Sequence, residues 1–234
     1  MAWSHNLHGA VTFIRKFKRY FGTTEQPQVT INVSELRKHL MFVRNECSGK
    51  STSILEIGPK SGVHSLFIDE FFQPANTVFL ERPSKERITG MPSWVNSLKC
   101  NFEFIYSDML LKNKVLDSRF DIIFCLGVIY HNVEYFKMFY LFNELLKPGG
   151  YLILGTSLNY DSNASIVINY QKGQKYDLTR PSQKAITTIM EMTGIDLIKF
   201  HNLPFPNQRG LFIAKKGIRP MTAVDDYFFG GSTI

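Results

Sequence analysis

Cysteine is scarce in this chain of 234 residues. Cys47, Cys100 and Cys125 lie far apart, and none belongs to a C-x-x-C pair. That argues against a disulfide framework and fits a reducing compartment. His5, His8, His39, His64 and His201 show no metal-ligand spacing, so no metal site is expected. Long apolar runs are missing too. The stretch Phe120–Tyr130 is too short for a membrane span and contains Asp121. The first 24 residues contain no acid, only Arg15, Lys16, Lys18 and Arg19 among apolar neighbours. Those cations interrupt the apolar residues and no small-residue cleavage site follows, which excludes a secretory signal. The expected location is the cytoplasm. No internal repeat and no low-complexity segment is visible.

What remains has the composition of a soluble globular protein, 44% hydrophobic and 20% charged. The net charge of +7 allows a nucleic-acid partner without demanding one. Residues 1–30 read as a basic amphipathic leader and linker. Phe13, Ile14, Phe17 and Phe21 recur at helical spacing, and Pro27 marks the linker. The leader could bind RNA, an anionic membrane or an acidic partner; the alternative is a lid whose aromatic face covers a pocket. A helix is predicted over Ser34–Glu46, capped by Ser34.

From there strands and helices alternate. Strands are predicted at Ser53–Ile57, Thr77–Leu80, Phe102–Tyr106, Asp121–Leu126 and Tyr151–Leu154. Helices are predicted at Val63–Phe72, Lys85–Ile88, Val133–Leu146 and Ser182–Met192. Residues 156–181 read as polar and irregular. The last two strands, Asp196–Phe200 and Gly210–Lys215, are joined too tightly for a crossover helix and must pair antiparallel. The expectation is one α/β domain over 31–216: a Rossmann-like, doubly wound, mostly parallel seven-stranded sheet with a C-terminal antiparallel hairpin. Residues 217–234 form a Gly-rich tail.

Five local patterns carry chemistry. In Ile54-Leu55-Glu56-Ile57-Gly58-Pro59-Lys60-Ser61-Gly62 an apolar strand runs into a glycine turn and then a helix. Gly58 permits the sharp turn and Gly62 a close approach to a ligand. Glu81, 23 residues after Gly58, ends the next strand, where an acid can accept from ribose hydroxyls; a solvated loop acid is the alternative. Asp108 follows the third strand, as an acceptor for an adenine amine or as a turn former. The fourth strand ends in Leu126-Gly127-Val128-Ile129-Tyr130-His131, and Lys147-Pro148-Gly149-Gly150 turns a helix into the fifth. Lys147 there sits near the helix's negative pole. Tyr130 and His131 are the candidate catalytic pair, an orienting hydroxyl and a base; the alternative is that Tyr130 packs over a bound ligand and His131 caps the next helix.

In this order the five resemble the class I S-adenosylmethionine-dependent methyltransferases. The resemblance implies S-adenosyl-L-methionine as cofactor. It would be held at Glu56, Gly58, Pro59 and Gly62, with Glu81 on its ribose, Asp108 by its adenine, and Leu126 and Gly127 lining the pocket. Pro59 stands where many members have glycine, which stiffens the loop. Nicotinamide enzymes of the Rossmann type lack both the hairpin and the Lys-Pro-Gly-Gly turn. A narrower similarity, to the tRNA wobble-uridine carboxymethyltransferases, rests on Gly127–His131, Lys147–Gly150 and Pro204-x-Pro206-x-x-Arg209-x-x-Phe212-Ile213-Ala214. It implies that Tyr130 and the substrate-binding residue Arg209 hold the extra carboxylate of a carboxylated cofactor. That group's N-terminal region and its carboxylate-binding lysine have no match in residues 1–50. The expectation is therefore plain methyl transfer to an acceptor, small molecule or RNA, that the sequence does not name. Carboxymethyl transfer and a non-catalytic binding protein are the alternatives. The oligomeric state is left open.

Overall fold

The computed structural model describes residues 31–83, 91–110, 119–168, 178–203 and 209–217. The leader, the predicted helix Lys85–Ile88, Pro204, Pro206 and the tail from residue 218 lie outside them. Helix α1 (Val33–Cys47) buries Leu36, Leu40 and Val43, its predicted stripe. Its cap is Asn32 rather than Ser34. The Asn32 carboxamide oxygen accepts from the Ser34 amide at 2.9 Å and from the Ser34 hydroxyl at 2.8 Å. Both residue types can cap, but only Asn32 stands one residue before the first helical turn and reaches its unpaired amides. Strand β1 (Ser53–Ile57) then leads into α2 (Val63–Phe72), both with the predicted bounds.

Strands β2 (Asn76–Glu81), β3 (Asn101–Tyr106), β4 (Phe120–Leu126) and β5 (Leu146–Ser157) follow, with α3 (Tyr135–Leu145) between the last two. A small antiparallel ribbon, β6 (Ile166–Ile168) with β7 (Thr179–Pro181), occupies part of the stretch expected to be irregular. Helix α4 (Gln183–Met192), capped by Ser182, and strands β8 (Ile195–Leu203) and β9 (Arg209–Lys216) complete the described residues. The seven-stranded sheet has the order β3-β2-β1-β4-β5-β9-β8. Its first four ladders are parallel, and β9 joins both β5 and β8 antiparallel.

Alternation along the central strands fills both faces. Leu55, Ile123 and Leu152 pack with Phe139, Phe142 and Ile186 on the α3–α4 side. Ile54, Phe124 and Ile153 pack with Leu40, Phe67 and Phe71 on the α1–α2 side. Strands buried on both faces read as near-continuous apolar runs, which is why they were visible in the sequence.

Two local expectations are corrected. Helix α3 starts at Tyr135, not Val133, because the Asn132 side chain accepts from the amides of Val133 and Glu134 and holds a turn there. Lys147 does not serve the negative pole of α3. The Lys147 ammonium pairs with Asp121 at 2.7 Å. Lys216 donates instead to the carbonyls of Asn143 and Leu146 at the C-terminal end of α3, at 2.7 and 3.2 Å.

Candidate active site

The order of the sheet reverses between β1 and β4, and the carboxyl ends of the strands meet there. Ile57 lies opposite Leu80 on one side and Cys125 on the other; Glu81 lies opposite Tyr106, and Leu126 opposite Gly155. Sheet register therefore brings Gly58, Glu81, Asp108 and Gly127 to one edge, the usual ligand position in such sheets. The first residues beyond the strands are pinned by backbone bonds. Gly58 N–H donates to Leu80 at 2.8 Å, Ser107 N–H to Glu81 at 3.0 Å, and Gly127 N–H to Gly155 at 2.8 Å.

Gly58 is left-handed, with φ +71°, and a Cβ there would stand 2.6 Å from Val128 Cγ2. The turn after β1 and the turn after β4 thus touch at a point where only glycine fits. Gly62 is also left-handed, but a Cβ on it would strike the Trp94 indole. The close approach at Gly62 is to Trp94, itself packed on Phe79 and Phe104. Between the two glycines, the Pro59 carbonyl accepts from Gly62 N–H at 2.8 Å. The Lys60 amide donates to the Glu81 carboxylate at 2.9 Å. Glu81 is thereby fixed across the loop and sits 9% exposed. Asp108 accepts from Leu110 N–H at 3.0 Å and faces Arg82 at 3.4 Å.

Glu56 is buried, and the Ser65 hydroxyl donates to it at 2.6 Å. Burial pushes its carboxyl up to about 8; Ser65 works against the shift and the charge of Glu81 adds to it. The folded protein therefore holds this proton more tightly than the unfolded chain. The resulting stability is complete below about pH 4.5 and is lost as pH rises through about 8. Glu56→Gln keeps the shape without the ionisation. Relative to wild type it should gain on the order of 1–3 kcal/mol between pH 5 and pH 8.5. Urea titrations at the two pH values check this; a constant difference between the proteins would sink it.

A second cluster lies beyond β4. Tyr130, in a short 3-10 turn over Ile129–His131, is buried, whereas His131 is exposed. The two rings are 4.4 Å apart. Arg209 opens β9 opposite Ser157. Its guanidinium lies over the Tyr130 ring at 5.5 Å, with Nη1 3.4 Å from the Tyr130 hydroxyl. The structure thus joins Tyr130 to Arg209, residues 79 positions apart. Thr179, not singled out from the sequence, holds this cluster. The Thr179 hydroxyl is shared among Tyr135 OH and the carbonyls of Tyr130 and Asn132, which ties β7 to the turn. The Ser157 hydroxyl is buried without a hydrogen-bond partner beside this group. Neither residue lies in a motif; only the fold brings them in.

The carboxylates suit a ligand rich in donors. A carboxylate accepts about four hydrogen bonds, so Glu81 can serve the Lys60 amide and a ribose diol together. Asp108 stands at the next strand end, a second carboxylate that could accept from such a ligand.

No family model matches the chain. Among solved structures, it is similar to an S-adenosylmethionine-dependent methyltransferase from Clostridium acetobutylicum: TM-score 0.58, 12% identity, covering 89% of this chain and 99% of that one. It is also similar to the Burkholderia thailandensis 1,6-didemethyltoxoflavin-N1-methyltransferase bound to S-adenosylhomocysteine: TM-score 0.59, 13% identity, 90% and 89% covered. Two curated relatives are named tRNA U34 carboxymethyltransferase. The one from Helicobacter hepaticus is 34% identical over 84 residues, 30% of this chain and 26% of that protein. The one from Nautilia profundicola is 34% identical over 126 residues, 48% and 41%. The matches thus span well under half of the relatives' own length. The chain has the Rossmann-like fold of the class I S-adenosylmethionine-dependent methyltransferases.

Proposed function

We propose that the chain is an S-adenosylmethionine-dependent methyltransferase. The observation that carries this is the meeting of the left-handed Gly58 turn with Glu81 and Asp108 at adjacent strand ends. In this reading Glu56 and the Gly58–Gly62 turn hold the amino-acid part of the cofactor. Glu81 holds the ribose, Asp108 the adenine amine, and Leu126 and Gly127 line the pocket. When bound, the cofactor supplies a methyl carbon made electrophilic by a positive sulfur. The chain's task is then mainly placement: the reactants are held in line and water is kept out. Tyr130 closes the pocket wall, and His131 takes a proton only where the acceptor must lose one. Location in the cytoplasm belongs to the same reading; among the described residues no helix is long and apolar enough to cross a membrane.

One observation favours a second reading, carboxymethyl transfer to a tRNA wobble uridine. The half-buried Arg209 guanidinium sits against Tyr130, a pair suited to a carboxylate on the transferred group. The names of the curated relatives support the same chemistry and an RNA acceptor. Arg209→Met separates the two. If the donor is carboxylated, the variant should lose about 10–100-fold in affinity for carboxy-S-adenosylmethionine, the worth of a buried charged contact. Its affinity for S-adenosylhomocysteine should hardly change. Equal affinities of wild type and variant for the carboxylated compound would leave plain methyl transfer. Mass spectrometry of the small molecule that copurifies with the full chain gives an independent answer.

A further inference from the structure

His64 has no part in the roles above, yet it is a buried imidazole two residues beyond Gly62, in the first turn of α2. Its Nε2 lies 3.0 Å from the carbonyl oxygen of Ile31. A carbonyl only accepts, so Nε2 carries the hydrogen. Ile31 precedes the cap of α1, and its carbonyl lies outside the helix ladder. Its side chain, 3% exposed, shares a buried cluster with Leu36 in the manner of a hydrophobic staple. It also reaches the carboxyl ends of β4 and β5. A Cβ on Gly155 would stand 2.3 Å from Ile31 Cδ1 and 3.0 Å from Leu126 Cδ2. Gly155 in turn accepts from Gly127 N–H, the amide that fixes the turn after β4.

We propose that His64 is a positioning residue for the cofactor pocket, holding Ile31 in place as a wall over Gly155 and Leu126. One imidazole thereby ties the segment entering α1 to the helix that follows the glycine turn. Burial keeps its affinity for a second proton low, so it stays a neutral single donor. The inference rests on the cofactor reading above.

The test uses the full chain and S-adenosylhomocysteine titrated by calorimetry, with hydrogen exchange at residues 33–40. His64→Leu keeps the bulk but leaves the Ile31 carbonyl unpaired. It should weaken binding about tenfold and speed exchange at the start of α1. His64→Gln retains a donor near the Nε2 position and should recover most of the affinity. Ile31→Ala, which keeps the His64 bond but removes the wall, should weaken binding as well. If His64→Leu does not fold, the Gln and Ala variants decide. A His64→Leu protein that binds as wild type, a folded Gln variant that recovers nothing, or an Ile31→Ala protein of unchanged affinity overturns the proposal. Wild type that binds no S-adenosylhomocysteine would instead remove the pocket reading, and this role with it.

Discussion

Gly58→Val should abolish cofactor binding. Position 58 is left-handed, a conformation that costs a β-branched residue about 1–3 kcal/mol. The new Cβ would also stand 2.6 Å from Val128 Cγ2 and push apart the turns after β1 and β4. Some loss of stability is therefore expected, which the sequence alone did not suggest. The fold should survive at low temperature, because the β1 ladders end at Ile57 and lie below the turn. Gly58→Ala combined with Val128→Ala relieves the contact and separates the two effects. That double variant should fold more stably than Gly58→Val and still bind far less tightly than wild type. Calorimetry on folded protein checks both. Wild-type affinity in Gly58→Val would mean that the ligand lies elsewhere.

Glu81→Ala removes the acid at the end of β2. Its carboxylate now accepts from the Lys60 amide and stands where ribose hydroxyls would donate. The loss should be about 1–3 kcal/mol of cofactor affinity, the usual cost of a hydrogen bond to a charged group. The Pro59–Gly62 turn should loosen too, since Lys60 N–H loses its partner and Lys60 itself sits at φ +43°. Glu81→Gln keeps an acceptor for Lys60 and should lose less. Unchanged affinity in a folded Glu81→Ala protein would end the ribose assignment.

The contrast between these residues shows what a sequence can carry. Ser53–Ile57 and Val63–Phe72 were legible to the residue, since apolar run, glycine turn and amphipathic stripe are local. The terminal hairpin followed from a connection too short for any other path. Other features were settled by competition between neighbouring candidates or by tertiary contacts. Asn32 and Ser34 were both fit to cap, and backbone position chose Asn32. Lys147 was the nearest cation to the end of α3, yet Asp121 holds it and Lys216 arrives from β9. The glycine at 62 was visible, but its neighbour Trp94, 32 positions on, was not. The Tyr130–Arg209 pair entered by resemblance, whereas Thr179 and Ser157 carried no signal of their own.

The most direct measurement is calorimetric titration of the full wild-type chain with S-adenosylhomocysteine. One saturable site per chain, with micromolar affinity, is the expected result. Folded protein that takes up none of it at millimolar concentration would contradict the account.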